Sequence, residues 1–313
     1  MSTAMKKPTI VVSRCLLQPE SDTADAARIR LFLLTLERHA KLVPVCPESE
    51  IRPRPQASTL RLVKSGNQLR LFETATGYDI TRPARKAIDS VMSKLDDVDG
   101  FVLRKGSRFC GPDGVDVLSS AESDARKIAS APGFFAQAVL RRYPQAAVID
   151  SAALLDYSER EHWLTAVFTS AEFQAIRKSP SVARLRQFHE RYRTLLAAYH
   201  ADGVTKLERT VQKATTRSPR AAIASYGKQL SATLARTPTR KSLLAPIQTA
   251  FAHLAPHLSA TERKKFDAAG KRFLNGKLPL SDVRKLVLVW TVRYDKRCVR
   301  AHSFFRPYPP ELA

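Results

Sequence analysis

The chain is 313 residues long and 44% hydrophobic, which is material for two cores rather than one. Its 52 Lys+Arg outnumber 29 Asp+Glu, giving a formal net charge of +23, and four cysteines are present. No apolar run reaches the ~18 residues of a transmembrane helix, and no small-residue cleavage site follows Lys6 and Lys7. A cytoplasmic setting is therefore expected, where spaced cysteines serve metals or catalysis more often than disulfides.

The pattern predicts a strand over 9–12, a helix over 24–40 with Ile29, Phe32, Leu33 and Leu36 on one face, and a strand over 42–45. Leu60–Val63 and Leu69–Phe72 flank Lys64-Ser65-Gly66-Asn67-Gln68 and read as a hairpin. A helix is predicted over 83–95 and a strand over 100–103. Asp113–Ser120 reads as loop, about 122–130 as helix, 133–142 as helix and 146–149 as a closing strand. Strands alternating with helices imply an α/β domain with a mostly parallel sheet, placed at 1–158.

After Asp150 no β-branched run bounded by turns remains, so 159–313 is expected to be an all-α domain. Ser158-Glu159-Arg160-Glu161 and Ser259-Ala260-Thr261-Glu262 have capping-box spacing. Further helices are predicted over 181–200, 204–213, 218–235 and 239–254, from 259 to near Gly276, and from Ser281. The tail Phe305–Leu312 reads as extended polyproline II. From residue 159 onward stand 29 Lys+Arg and 11 Asp+Glu, so +18 of the +23 lies in this half. An excess that uneven implies a polyanionic partner, and nucleic acid is the usual one.

Three cysteines follow strand ends: Cys15 after Ile10–Val12, Cys46 after Leu42–Val45, and Cys110 beyond Gly100–Leu103. In an open α/β sheet the carboxyl ends of the strands border the ligand crevice, so the three can converge. Their separations of 31 and 64 residues match no zinc ribbon, C-x-x-C redox motif or ferredoxin pattern. Three thiolates without a fourth partner suit an iron–sulfur cluster with one open iron, a zinc ion with an open position, or three buried structural cysteines. Glu48 and Glu50 stand beside Cys46, either as proton-transfer groups or as solvated side chains. Ser107 precedes Cys110 by three and Ser13 precedes Cys15 by two, each able to hydrogen-bond a ligand or to shape a turn. Cys298, among Arg293, Lys296, Arg297 and Arg300, reads as a bystander thiol. His189, Arg193 and His200 share a helix face that either lines RNA or is solvated, and His253/His257 read as a bland polar face.

Val12-Ser13-Arg14-Cys15-Leu16-Leu17, Val43-Pro44-Val45-Cys46-Pro47-Glu48-Ser49-Glu50 and the loop Ser107–Gly111 resemble the bacterial thiouracil desulfurase family. Phe188-His189-Glu190-Arg191-Tyr192, Pro238-Thr239 and Pro307-Tyr308-Pro309-Pro310-Glu311-Leu312 resemble the helical domain of unknown function often fused behind it. The fusion is similar to two-domain desulfurases acting on 4-thiouridine in tRNA. The resemblance implies a 4Fe-4S cluster on Cys15, Cys46 and Cys110, whose open iron binds the thiocarbonyl sulfur while water replaces it on the base. It also implies Glu50 as the catalytic acid and Ser107 as a second active-site residue, with Glu48 an adjacent candidate, and tRNA held by the basic helical half.

Two departures stand out. The segment after the first cysteine reads Gln18-Pro19-Glu20-Ser21-Asp22-Thr23 instead of an Arg-Tyr-Asp-Gly-like run. The usual Ser-Pro-Ser before the third cysteine is Ser107-Arg108-Phe109, and Phe109 either stacks on a base or packs. The competing functions are a nucleic-acid-binding module with a structural or redox-sensing cluster, and a desulfurase of free thiopyrimidines. The basic helical half argues against the latter, since a free base needs no polyanion-binding surface.

Overall fold

The computed structural model describes residues 6–18, 23–51, 59–122, 124–294 and 303–313. The chain divides into two compact units, one of Lys7–Arg160 and one taking in Glu161–Ala313.

The first unit is α/β. β1 (Thr9–Ser13) is followed by α1 (Ala24–Glu37), β2 (Lys41–Val45) and, much later, β6 (Gly100–Leu103) and β9 (Ala147–Asp150). These four strands form a parallel sheet in the order β2-β1-β6-β9. Ile10, Val11 and Val12 of β1 and Phe101, Val102 and Leu103 of β6 are all inaccessible to solvent. A strand covered on both faces needs an unbroken apolar run, which these two supply. The Asp99 carboxylate accepts the Thr9 amide at 2.9 Å and so ties the start of β1 to the chain entering β6.

Between β2 and β6 the chain builds part of a second sheet from β3 (Leu60–Ser65), β4 (Gln68–Glu73) and β5 (Tyr78–Asp79), followed by α2 (Thr81–Ser93). The expected hairpin is β3–β4, registered from Leu60 opposite Glu73 to Ser65 opposite Gln68. Its two-residue turn places Gly66 at φ +59°, which a glycine adopts without steric cost. After β6 come β7 (Val115–Leu118), β8 (Lys127–Ala131) and α3 (Phe134–Arg142), and β7 and β8 complete the order β5-β4-β3-β7-β8. The loop expected at 113–120 therefore contains a strand. The helix expected at about 122–130 is instead, over 127–131, an exposed edge strand paired antiparallel to β7.

The second unit is helical. It comprises α4 (Tyr157–Lys178, its first turn in the preceding unit), α5 (Val182–Tyr199), α6 (Ala201–Lys213), α7 (Pro219–Leu234), α8 (Arg240–Leu254), α9 (Ala260–Leu274) and α10 (Leu280–Arg293). Phe173, Phe188, Tyr192 and Tyr226 stack at its centre with ring centroids 4.4 to 6.0 Å apart. The capping box at Ser259/Glu262 forms as expected. The one expected at 158–161 does not: Asp156 accepts the Ser158 and Glu159 amides at 2.8 and 3.0 Å, so α4 starts earlier. The tail is compact rather than extended polyproline II, closing in a 3-10 turn at Pro310–Leu312 with Tyr308 and Leu312 buried. Among the described residues no helix is long and apolar enough to cross a membrane.

Candidate active site

Sequence order reverses about β1. The chain passes from β1 to β2 on one side, then crosses back to β6 on the other. In an open α/β sheet the crevice beyond such a switch point is where ligands bind. Cys15 lies just past β1 in a 3-10 turn, and Cys46 follows β2 directly. Cys110 ends the loop that leaves β6. None of the three is in a disulfide, and Cys15 and Cys46 are half-buried while Cys110 is buried.

The Cys110 thiol is pushed up to about 12, first by burial and then by the charges of Glu48, Cys15 and Cys46, against a hydrogen bond from Ser13. The other two thiols and the Glu48 carboxylate thus lie within electrostatic reach of Cys110. Ser13 Oγ accepts the Arg104 amide at 3.1 Å, which leaves its hydroxyl proton for the sulfur and ties the end of β1 to that of β6.

The loop carrying Cys110 is fixed from two sides. Ser107 Oγ accepts the amides of Phe109 (3.2 Å) and Cys110 (3.0 Å). The first turn of α3 offers unsatisfied amides, and the loop consumes them: Phe134 donates to the Arg108 carbonyl, and Phe135 and Ala136 to that of Phe109. Gly133 makes that approach possible. The Phe109 ring is fully buried in the core, so of its two readings the structure selects packing.

Glu50 is placed differently from Glu48. Its carboxylate lies 3.5 Å from the Lys94 ammonium at the end of α2, whereas Glu48 acts on the Cys110 thiol. Cys298 and Pro19–Asp22 lie outside the described residues.

Among the described residues no three His, Cys, Asp or Glu side chains converge closely enough to hold a single metal ion. The donor set nevertheless suits an iron–sulfur cluster in kind, with three cysteines outside any disulfide, one hydrogen-bonded by Ser13.

Residues 10–151 match a family model described as 2-thiouracil desulfurase. That stretch spans nearly all of the first unit. Residues 193–309 match a second family, described as a protein of unknown function (DUF1722), and together the two have the layout of a two-domain thiouracil desulfurase. No curated protein and no solved structure matches the chain. The match over the first unit supports a thiopyrimidine desulfurase.

In the desulfurase-family unit, sequence reasoning did not single out Lys94 or Gly133. The Pro132-Gly133 pair before a helix was the available signal for the second. In the helical unit His189 is buried with Nδ1 3.1 Å from the Tyr226 hydroxyl, so it neither lines an RNA surface nor faces solvent. His253 and His257 are exposed, the latter stacked on Tyr294.

Proposed function

We propose that the chain converts 4-thiouridine in tRNA to uridine, using a 4Fe-4S cluster held by Cys15, Cys46 and Cys110. A thiocarbonyl and water become a carbonyl and hydrogen sulfide with no net electron transfer. The observation that carries the reading is that Cys15, Cys46 and Cys110 stand past the ends of β1, β2 and β6, in the unit that the desulfurase model matches. When bound, the cluster supplies a thiophilic Lewis acid. Ser107 uses its acceptor capacity on two backbone amides, so its O–H is left to donate to the thiopyrimidine ring and orient it. Glu48 takes the proton of the attacking water. Glu50, paired to Lys94, supports the turn that carries Glu48.

The helical unit carries the tRNA. Lys264, Lys265, Lys271 and Arg272 of α9 are exposed and make no ion pair with a described residue, as expected of cations reserved for phosphates. The proposed setting is cytoplasmic, where thiolated tRNA resides.

A second reading, a desulfurase of free thiopyrimidines, is favoured by the family description alone. One experiment separates them. Anaerobically reconstituted protein is assayed for iron and sulfide, then offered thiolated tRNA and free 2-thiouracil, with hydrogen sulfide as the readout. Cluster iron is lost in Cys15→Ala, Cys46→Ala and Cys110→Ala, and kept in Cys298→Ala. Iron retained by Cys46→Ala, or intact 4-thiouridine after incubation with loaded protein, defeats the proposal. Consumption of 2-thiouracil alone selects the second reading.

A further inference from the structure

α1 is apolar on both sides. Its inner face buries Ile29, Leu33 and Leu36 against the first unit. On its outer face Leu31 is 67% and Leu34 52% exposed, and Ala27 lies exposed one turn before Leu31. A helix covered on one side ordinarily carries charge on the other, and a helix apolar all round is ordinarily buried all round. Positions 27, 31 and 34 follow i, i+4, i+7 spacing, so the three side chains form one stripe. Two large neighbouring side chains left in water differ from the scattered apolar residues of an ordinary exterior and mark a contact surface.

The charges that border the stripe fit one occupant. One flank holds Arg30 and Glu37, both exposed, and neither makes an ion pair with a described residue. They stand about 10 Å apart along the helix, too far to pair with each other. On the opposite flank Arg28 already has Asp25, 3.5 Å away. When a helix lies antiparallel on a second copy of itself, like flanks meet. With Leu31 against the partner's Leu34, Arg30 then falls within about 3 Å, measured along the axis, of the partner's Glu37. The two-fold axis repeats each contact, so one surface supplies both leucine contacts and both ion pairs. A parallel pair would instead set Arg30 beside the partner's Arg28.

We propose that α1 is a self-association face, through which two copies of this chain pair antiparallel on Leu31 and Leu34, with Arg30 of each opposite the partner's Glu37. β1, α1 and β2 form a βαβ unit, so α1 starts at the carboxyl end of the parallel sheet, where the cysteines stand. Antiparallel helices carry those two ends in opposite directions, and the two crevices open at opposite ends of the helix pair. A single helix pair is smaller than a standard interface, so the dimer forms in a concentration-dependent way.

Sedimentation velocity of the nucleic-acid-free full chain over a range of concentrations tests this. The unaltered protein passes from monomer to dimer as concentration rises, and Leu31→Glu/Leu34→Glu stays monomeric throughout. Arg30→Glu or Glu37→Arg alone sets like charges against each other twice and weakens the dimer roughly tenfold. The double variant Arg30→Glu/Glu37→Arg regains it, and so does a mixture of the two single variants, whose charges complement one another. Near-UV circular dichroism of each variant reports an intact fold. An unaltered chain that is monomeric at every concentration, or a dimer that survives Leu31→Glu/Leu34→Glu, overturns the face. A mixture that associates no better than either single variant overturns the antiparallel pairing.

Discussion

The Glu50 carboxylate lies 3.5 Å from the Lys94 ammonium, while Glu48, two residues earlier, raises the pKa of the Cys110 thiol. An extended Cys46–Glu50 would put both carboxylates on one side, but the 3-10 turn at Pro47–Glu50 separates them. Glu48→Gln is expected to cost roughly two orders of magnitude or more in kcat with iron content unchanged. Glu50→Gln loses an exposed pair and costs far less. Measured kcat values for the two variants decide the assignment, and the reverse ranking returns the proton-transfer role to Glu50.

Gly133 governs whether Cys110 is held at all. A Cβ there would fall 2.5 Å from the Phe109 carbonyl oxygen and 2.7 Å from that of Arg108, and both belong to fixed backbone. Gly133→Ala therefore pushes the α3 amides off the loop. It should cost about 1–3 kcal/mol, read as a lowered denaturant midpoint, and should weaken iron retention in parallel. A midpoint unchanged within error counts against the α3 anchor.

Salt dependence discriminates binding cations from structural ones. Arg263 is exposed, yet its guanidinium donates to the carbonyls of Ala255 (3.1 Å) and Leu258 (2.9 Å), so its reversal would damage the α8–α9 connection. Lys264, Lys265, Lys271 and Arg272 have no such duty. Reversing them should flatten the log–log salt slope of tRNA binding by about one for each phosphate no longer neutralised, leaving cluster iron unchanged. A slope equal to that of the unaltered chain moves the tRNA surface elsewhere.

Stability should fall in mild acid. Burial lowers the pKa of both His162 and His189 from the ordinary value of 6.5. Below about pH 6.5 the unfolded chain takes up protons that the folded helical unit refuses, so the free energy of unfolding falls as pH drops through that value. Denaturant titrations from pH 8 to 5 read this directly. His162→Gln/His189→Gln should flatten the profile, and an unaltered profile would place the acid sensitivity in other groups.

Buried strands and amphipathic helices were legible in the sequence because their residues state their own environment. Ile10–Val12 and Phe101–Leu103 are apolar throughout, as a doubly covered strand must be. β8 was not legible: Lys127–Ala131 follows a helix-favouring run, and its strand form comes from pairing with β7 rather than from its own composition. The α4 start was misplaced because Ser158 and Glu161 satisfy a pattern that Asp156 pre-empts. Three cysteines past three strand ends could be read as one site. The proposed preference for Glu48 over Glu50 could not, because it rests on a 3-10 turn and on a lysine 44 residues away in sequence.

The strand order β2-β1-β6-β9 also makes the three thiols a measure of assembly. Cys15 and Cys46 come together once β1 and β2 pair across a short crossover, but Cys110 joins them only after the hairpin and α2 have been laid down and β6 has docked on the far side of β1. A group bound to all three sulfurs closes loops of 31 and 64 residues in one act, and its binding energy becomes folding energy of the whole unit. Iron retention then reports more than the state of the crevice. With the proposed cluster bound, it reports that the longest excursion of the chain has returned, so a lesion in the second sheet, whose Leu60, Leu71 and Val115 share a core with Cys110, should be noticed as a loss of colour.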